Sequence, residues 1–465
     1  MEPGVAAAAY GVETAAEGAV GAAIAIAKST MPLKARWTRI PTNTVLPRSS
    51  HSLSIVKSKI YIFGGEEQPR QPVDNHVHVF TLPSSEQDEV DYQVVPAQAA
   101  TEKGELPPPR VGHTADAVDD RVYVFGGRGG KAMKPLEEAG RVWVFDTKMN
   151  QWSYLDPVGG SPYPDARSYH TSTSTEHPLS QPQVPTGPPS GSLASALTKD
   201  PATEKTDYTE NPLGISGSGA DDHGTIFIHG GCPASGRVVD IWAFDIAART
   251  WSRYPDIPGP ARGGPSLCLA KDNLYRFGGF DGEKELGGPI QYLRLTRSTF
   301  DDKGGKGELA VTPLTGQWES IESLAGTPTP GNRSVAGLQP VTTGQGRSYL
   351  LLFLGERDPS ASGHDAAGKF WDDVWSFQLA PEGMTAASLK DATRELFGAK
   401  TAEKTWARVD VPEATMSGEN EHPGSRGWFA SAQGQDFDPL SVVLWGGVND
   451  DNSRAGDGWI LTLQT

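Results

Sequence analysis

The sequence predicts an all-β fold in which six four-stranded units are arranged as the blades of a propeller. Three features recur: an Arg before a first strand, a strand ending in glycine, and an aromatic-rich strand such as VWVFD (142–146). Strand-type alternation repeated along the chain is typical of a propeller and not of a doubly wound fold. The glycine-ended strands are IYIFGG (60–65), VYVFGG (122–127), TIFIHGG (225–231), LYRFGG (274–279), LLFLG (351–355) and VVLWGG (442–447).

Each unit divides into strands a, b, c and d. Strand a follows the Arg, strand b ends in glycine, strand c is the aromatic run, and strand d carries an aromatic residue before the next Arg. The Arg-led segments are PRSSHSL (47–53), PRVGHTADAV (109–118), ARSYHTSTS (166–174), ARGGPSLCLA (261–270), NRSVAGLQPV (332–341) and SRGWFASAQ (425–433). The strand d aromatics are Tyr92, Trp152, Trp251, Trp318 and Trp406.

The sixth unit has no strand d of its own, because the sequence stops at Thr465 just after GWILTL (458–463). The segment ARWTRI (35–40) has a Trp at the right distance before Arg48. We therefore expect residues 35–40 to complete blade 6 and close the ring, which hides edges that an open stack would expose. One propeller domain over residues 35–465 follows, since the blades share one core.

Residues 1–34 precede the propeller as an Ala-rich helix and linker. Glu13 and Glu17 interrupt the apolar stretch and leave an uncharged run of about ten residues, whereas a membrane span needs about 18. No basic segment precedes it, which disfavours a signal peptide. We expect a helix docked on the outside of the propeller and no transmembrane anchor, with contact to a membrane surface as the alternative.

Two insertions interrupt the repeats. Residues 175–222, rich in Pro, Ser, Thr and Gly, lie between strands a and b of blade 3 and are expected to be mostly disordered. Residues 380–404 include a helix-like segment and lie between strands c and d of blade 5. Because strands alternate in direction, both insertions lie on one face, here called the bottom. The connections from b to c and from d to the next a form the top.

Composition restricts the partners. The net charge is −16 and the pI near 5.1, which disfavours a nucleic-acid reader, because neutralising phosphates requires a basic face. The two cysteines, Cys232 and Cys268, are too few for a disulfide scaffold and do not form a zinc-type pair. A reducing, cytoplasmic location is expected.

The repeated FGG, the downstream VWVFD and the Trp of strand d resemble kelch repeats over residues 35–465. Within that family, the motifs IYIFGGE, VYVFGGR, DARSYH (165–170) and SRGW (425–428) resemble the plant nitrile-specifier and epithiospecifier proteins. This resemblance implies a six-bladed kelch propeller. It also implies ferrous iron and an activity that redirects the breakdown of glucosinolate aglycones to nitriles and related products.

Geometry places the start of every strand a near the propeller axis, so six guanidiniums are expected around the top. They belong to Arg48, Arg110, Arg167, Arg262, Arg333 and Arg426. The residues just after strand b arrive at the same face: Glu66, Arg128, Cys232, Phe280, Glu356 and Val448. Guanidinium groups suit carboxylate, sulfate or phosphate oxygens. The alternative is that the repeat arginines bond neighbouring carbonyls or carboxylates and only connect the blades.

Arg128 differs from the repeat arginines because it corresponds to the FGGR of the specifier proteins, where the resemblance implies a substrate contact. Arg48, Arg110 and Trp428 complete the predicted substrate-binding set. Trp428 would supply an apolar wall, or would simply be a core residue of strand a.

The b-to-c loop of blade 5, residues 355–375, is the predicted metal site. In specifier proteins the corresponding loop binds iron through a Glu, an Asp four residues later and a His four further on. Glu356 and His364 occupy the outer places here, and Ser360 stands in the middle. A hydroxyl is a poorer ligand than a carboxylate, so Asp358 or Asp365 would be the substitute. The alternative is an acidic lid without metal.

Two function classes follow, and the sequence leaves open whether the chain is an enzyme. The first is a specifier-like protein, an Fe(II)-dependent lyase or isomerase that promotes rearrangement or fragmentation of a small anionic substrate. The second is a non-enzymatic interaction scaffold that binds an acidic peptide or protein at the top face.

Overall fold

The computed structural model describes residues 32–82, 90–179, 223–300, 308–313, 316–323, 326–361, 366–381, 385–396, 401–412, 421–434 and 437–464. These residues form the predicted all-β propeller of six antiparallel sheets. Residues 1–31 of the expected N-terminal helix and linker (residues 1–34) and most of the blade 3 insertion (residues 180–222) lie outside the described residues. No helix within the described ranges is long and apolar enough to cross a membrane.

The strands of each blade are given in the order in which they pair, from the axis outwards. Blade 1 consists of Ser52–Val56, Lys59–Phe63, Val77–Thr81 and Asp91–Val95. Blade 2 consists of Thr114–Val118, Arg121–Phe125, Val142–Asp146 and Gln151–Leu155. Blade 3 consists of Thr171–Thr175, Thr225–His229, Ile241–Asp245 and Thr250–Tyr254. Blade 5 consists of Gly337–Thr342, Ser348–Phe353, Val374–Gln378 and Trp406–Arg408. Blade 6 consists of Ala430–Gln433, Ser441–Trp445, Gly458–Gln464 and Lys34–Arg39.

Blade 4 departs from the common pattern. Its strands a and b are Ser266–Ala270 and Asn273–Phe277, but its strand c, Ile290–Phe300, is 11 residues long. Two segments therefore share the fourth place. Glu308–Pro313 pairs with the far half of strand c, and Glu319–Ile321 pairs with its first residues. The extra hairpin was not predicted, because the sequence pattern located strand d only by Trp318.

Four short two-stranded sheets lie at the top connections. Three of them are hairpins that directly follow strand b: Glu66–Gln68 with Gln71–Pro72, Arg128–Gly129 with Lys134–Pro135, and Glu356–Asp358 with Lys369–Phe370. The fourth pairs Arg426–Gly427 with Val448–Asn449. These sheets raise the residues after strand b above the blades and position them around the axis.

Segments from both ends of the described chain share the sheet of blade 6. Lys34–Arg39 pairs antiparallel with Gly458–Gln464, and Trp37 lies opposite Leu461. Trp37 is buried, and its ring centroid lies 6.1 Å from that of Phe353 in blade 5. The same neighbour relation, between a strand b Phe of one blade and a strand d Trp of the next, joins Phe63 to Trp152. The N-terminal strand thus takes the packing role that strand d has elsewhere.

The cores lie between adjacent blades, where large aromatic side chains meet. Phe63 and Trp152 approach to 4.9 Å between ring centroids, as do Phe125 and Trp251. Aromatic pairs at such distances add to the hydrophobic stabilisation of an interface. The regular recurrence of these residues in the sequence is therefore what holds neighbouring blades together.

A closed ring of six backbone hydrogen bonds surrounds the axis, and we call it the throat. Each member lies two residues after the repeat Arg and has a positive φ. The amide of each residue donates to the carbonyl of its counterpart in the preceding blade, at 2.7 to 3.3 Å. The members are Ser50, Gly112, Tyr169, Gly264, Val335 and Trp428. Because Ser50 of blade 1 donates to Trp428 of blade 6, the hydrogen-bonded ring is continuous.

The blade 5 insertion contains helix α1 (Ala386–Leu396). Thr385 begins the helix as its N-cap, since its hydroxyl accepts a hydrogen bond from the amide of Ser388 at 3.0 Å. A 2.5 Å ion pair between Arg347 and Asp391, both nearly buried, fixes the helix to the a-to-b hairpin. At the start of the blade 3 insertion, Leu179 forms a parallel bridge with Val311 of blade 4.

Candidate functional site

The top face contains a cavity of about 470 Å³ on the propeller axis, here called the upper cavity. Its walls are formed by the six residues that directly follow strand b in each blade. They are Glu66, Arg128, Cys232, Phe280, Glu356 and Val448. Each of them pairs with the residue that follows the repeat Arg, in isolated bridges or in the short sheet of blade 6. The repeat geometry therefore brings residues together that lie almost 400 positions apart in the sequence.

The floor of the upper cavity consists of throat side chains. The rings of Tyr169 and Trp428, from blades 3 and 6, meet at 5.2 Å in an edge-to-face arrangement. Gly112 leaves the space for this contact, because a Cβ at that position would lie 2.7 Å from the Tyr169 ring. Five throat residues line both the upper cavity and a channel of about 700 Å³ below it. The throat thus separates two compartments on one axis.

Arg128 lies on the cavity wall and is oriented by two contacts. Its Nε donates to the hydroxyl of Ser168 at 2.7 Å, and its guanidinium carbon lies 4.9 Å from the centroid of the Tyr169 ring. No described Asp or Glu forms an ion pair with it. A half-buried guanidinium that is held in place without a counterion is suited to binding an anion.

Arg237 is a second cavity arginine, and the sequence analysis did not identify it. Its guanidinium carbon lies 4.8 Å from the centroid of the Phe280 ring, and its buried Nε has no hydrogen-bond partner among the residues that the structure describes. Gly282 provides room for it, since a Cβ there would lie 2.7 Å from Nη1 of Arg237. Arg237 stands in the b-to-c loop of blade 3, outside the repeat pattern, so no sequence signal pointed to the cavity.

A third cavity arginine is already paired. Nη2 of Arg454 lies 3.3 Å from Glu66, and both side chains are buried. Cys232 lies close enough to Arg128 and Arg237 for their charges to act on it. Burial nevertheless raises the pKa of the Cys232 thiol, and the two arginines only partly oppose this effect. The wall formed by blades 2 and 3 therefore carries positive charge next to a protonated thiol.

The wall formed by blade 5 carries one carboxyl group, Glu356, that is easily protonated. Burial raises the pKa of Glu356 to about 7, against a hydrogen bond from Trp428 that lowers it. In the b-to-c loop of blade 4, outside the lining of the cavity, burial also raises the pKa of Glu285 to about 8, and the charge of Glu356 adds to this effect. The Glu356 carboxylate packs directly against Gly368, where a side chain would displace it. The cavity is therefore polarised, with its positive side at blades 2 and 3.

The predicted metal ligands are only partly within the described residues. Glu356 and Ser360 line the upper cavity. Asp358 does not line it, because its side chain is 64% exposed and lies 3.4 Å from Arg357. His364 and Asp365 lie outside the described residues. Among the residues that are described, no group of three His, Cys, Asp or Glu side chains could hold a metal. This part of the chain does not by itself provide an iron site.

Arg48 and Arg110, also predicted to bind substrate, do not line the upper cavity. Nη1 of Arg48 donates to the carbonyl of Gly64 at 2.8 Å, and its Nη2 lies 2.6 Å from His78. Nη1 of Arg110 donates to the carbonyl of Gly126 at 2.8 Å. Both side chains are buried within their own blades. We therefore leave these two residues out of the candidate site.

Four repeat arginines share an arrangement that we call the arginine staple. Each pairs with a carboxylate just before strand c, at 2.6 to 2.8 Å, and a Trp indole of strand c donates to the same carboxylate. The pairs are Arg110–Glu138, Arg167–Asp240, Arg333–Asp373 and Arg426–Asp457. The indoles belong to Trp143, Trp242, Trp375 and Trp459. These contacts fit the structural alternative that the sequence left open.

The chain is similar to several known proteins. Residues 29–179 match a family model described as the KLHDC2/KLHL20/DRC7 Kelch-repeats domain. The chain is 23% identical over 448 residues to an N-(sulfonatooxy)prop-2-enimidothioate sulfolyase of Thlaspi arvense, covering 93% of this chain and 98% of that protein. It is 31% identical over 137 residues to human Host cell factor 2, covering 27% and 16%. A solved structure titled "Structure of YjhT" superimposes with a TM-score of 0.51 at 11% identity, covering 92% of this chain and 99% of that one.

Proposed function

We propose that this chain is a kelch-repeat β-propeller whose upper cavity binds a small anionic molecule. The cavity promotes rearrangement or fragmentation of that molecule, as in specifier-type proteins. The proposal joins one structural observation to one similarity. The observation is the pair of arginines in the cavity that lack a carboxylate partner among the described residues. The similarity is the full-length match to a plant sulfolyase.

Arg128 is the observation that carries the proposal. Its guanidinium is half-buried, and its orientation is set by Ser168 and Tyr169 before any ligand arrives. Preorganised donors lose little conformational entropy on binding, so they favour a charged oxygen group over water. Arg237, on the neighbouring blade, adds a second positive charge to the same wall. We assign to these two arginines the binding of the anionic group.

The rest of the cavity suits a small apolar group. Phe280, Val335, Phe370 and Trp428 line it, and its volume lies in the range that is usual for small-molecule sites. The name of the Thlaspi relative describes a substrate with a sulfonatooxy group and a three-carbon chain. A molecule of this class would place its sulfate at the arginines and its carbon chain against the aromatic side chains.

Fe(II) stays a prediction in this proposal. Glu356 and Ser360 face the cavity, but a complete set of ligands depends on His364, and we assign no chemical step to the metal. The test is an anaerobic titration of the full chain with Fe(II), repeated with His364→Ala. Stoichiometric binding that His364→Ala abolishes would support the prediction. Absence of binding, or binding that the substitution leaves unchanged, would remove iron from the proposal.

The activity test generates the substrate in place from its glucosinolate with a thioglucosidase. The products are then identified by gas chromatography with and without the purified chain. We expect nitriles or related products in place of the isothiocyanate, and loss of this change with Arg128→Gln. Arg253→Gln, on an outer strand, is the matched control and should behave as the unsubstituted protein. An unchanged product distribution in all samples would contradict the proposed activity.

A second function, an interaction scaffold, is favoured by the match to the Kelch-repeats model. The same two arginines would then bind an acidic side chain of a partner. The two functions separate in a binding experiment with an acidic peptide. The scaffold function is supported if Arg128→Gln weakens binding of the peptide and the unsubstituted protein does not alter product formation.

A further inference from the structure

Blade 4 lacks the carboxylate of the arginine staple. In blades 3 and 5, Asp240 and Asp373 directly precede strand c, whereas Pro289 occupies that place before Ile290. Gln291 stands where the four blades with an arginine staple have the Trp that bonds the carboxylate. Arg262 keeps the backbone contacts of a staple arginine, to the carbonyls of Pro260 and Gly278 at 3.0 and 2.8 Å. No described carboxylate pairs with it.

Blade 4 also contains an additional buried arginine. Arg276 lies opposite Gln291 in strand b, at a position that is apolar in the other blades. The equivalent residues are Ile62, Val124, Ile228, Leu352 and Leu444. Arg276 is only 1% exposed, and its Nη2 donates to the carbonyl of Pro258 at 2.8 Å and to the side-chain oxygen of Gln291. Within the described part of the chain, its Nε and Nη1 have no hydrogen-bond partner.

The surroundings do not compensate this charge. Burial, followed by repulsion from Arg262, lowers the pKa of Arg276 to about 8, and burial lowers that of Arg262 to about 10. His229, which both arginines influence, is buried with a pKa held well below its ordinary value, so it is a neutral neighbour. Asp281 attracts Arg262 only from the surface, where it accepts hydrogen bonds from the backbone amides of Glu283 and Lys284.

We propose that blade 4 binds one small anion, of the size of a carboxylate or halide, between Arg262 and Arg276. Two buried guanidiniums without a counterion are costly, and an anion removes that cost through charge-assisted hydrogen bonds. In four sister blades the chain itself supplies a carboxylate for the repeat Arg. A bound anion in blade 4 therefore replaces a group that the sequence omits. Arg262 and Arg276 do not line the upper cavity, so this site does not depend on the proposed function.

The direct test is crystallisation of the full chain in bromide, with anomalous diffraction to locate the ions. We expect a bromide in contact with both guanidiniums in blade 4. Crystals of Arg276→Leu, which restores the residue type of blades 5 and 6, should lack it. A water molecule at this position, or an ordered bromide that persists in Arg276→Leu, overturns the proposal.

A solution test uses formate as the probe and the melting temperature as the readout. Formate replaces gluconate at constant ionic strength, because gluconate is too large for a buried site. At a formate concentration well above its dissociation constant, we expect the melting temperature to rise by about 2 °C. Pro289→Asp supplies the carboxylate found in blades 3, 5 and 6 and should remove this dependence. Equal responses in the unsubstituted protein, Pro289→Asp and Arg276→Leu would overturn the proposal.

Discussion

Arginines of the staples and arginines of the upper cavity show how the same side chain serves two purposes in one repeat. Arg333 is fully buried, and its guanidinium forms two hydrogen bonds with Asp373 at 2.7 and 3.1 Å. Arg128 and Arg237 are half-buried, lie against aromatic rings, and have no carboxylate partner among the described residues. The difference teaches that pairing, and not position near the axis, separates an arginine that supports the fold from one available to a ligand.

Breaking a staple should have the largest effect on stability. Arg333→Gln leaves Asp373 buried without its counterion, and we expect a loss of about 3 to 5 kcal/mol in the free energy of unfolding. Urea denaturation measures this loss. Arg253→Gln is the control, because Arg253 and Asp256 form an exposed pair and the same change should cost less than about 1 kcal/mol. Similar losses in the two variants would show that a staple contributes no more to stability than an exposed ion pair.

Asp116 extends the comparison, since it is a carboxylate that no arginine of the described residues pairs with. It lines the channel below the throat, and burial raises its pKa to about 7 against a hydrogen bond from Ser172. The folded state then holds a proton that the unfolded state releases above about pH 4. Stability should therefore fall as pH rises from 4 to 7, by at most about 1.4 kcal/mol per pH unit, and stay level above.

Asp116→Asn should remove this fall, because the amide does not titrate. Denaturation curves at several pH values check the prediction. The advantage of the variant should be smallest near pH 4 and largest above pH 7. An advantage that is constant across this range would mean that Asp116 titrates normally in the folded protein.

Removing a cavity arginine should affect binding and leave the fold intact. Arg128→Gln is expected to weaken binding of an anionic ligand about 10- to 100-fold, the value of one charge-assisted contact. Its free energy of unfolding should change by less than about 1 kcal/mol, because the guanidinium is half-buried and no carboxylate in the described ranges pairs with it. Isothermal titration with inorganic sulfate measures the first quantity, and urea denaturation the second. A stability loss as large as that of Arg333→Gln would place Arg128 among the structural arginines.

The smallest effect on stability is expected from giving the cavity arginines a partner. Cys232→Asp places a carboxylate where the charges of Arg128 and Arg237 both act on the native thiol. We expect a gain of about 0.5 to 1 kcal/mol in stability, together with loss of sulfate binding. Cys232→Ser is the control, because it adds no charge and should preserve binding. Sulfate binding that persists in Cys232→Asp would show that the anion binds elsewhere.

Much of the fold followed from periodicity alone. The Arg, the glycine-ended strand and the aromatic run recur in the same order in each repeat. The strands and the ring of residues after strand b could therefore be located from the sequence alone. Arg237 could not be found in this way, because it stands in a loop outside the repeat. The exclusion of Arg48 and Arg110 from the cavity depends on contacts with His78 and Glu138, and the repeat pattern does not reveal those contacts.

The sequence by itself determined a propeller of six repeats, because alternating apolar residues and glycine-ended strands admit few other ways to bury their surfaces. It also determined which residues stand at equivalent positions. Only the tertiary structure decided which arginines have partners, since a guanidinium is neutralised by groups from other loops and other blades. It also decided that Tyr169 and Trp428 meet across the axis, because their contact depends on the closed ring of backbone hydrogen bonds and on the space beside Gly112.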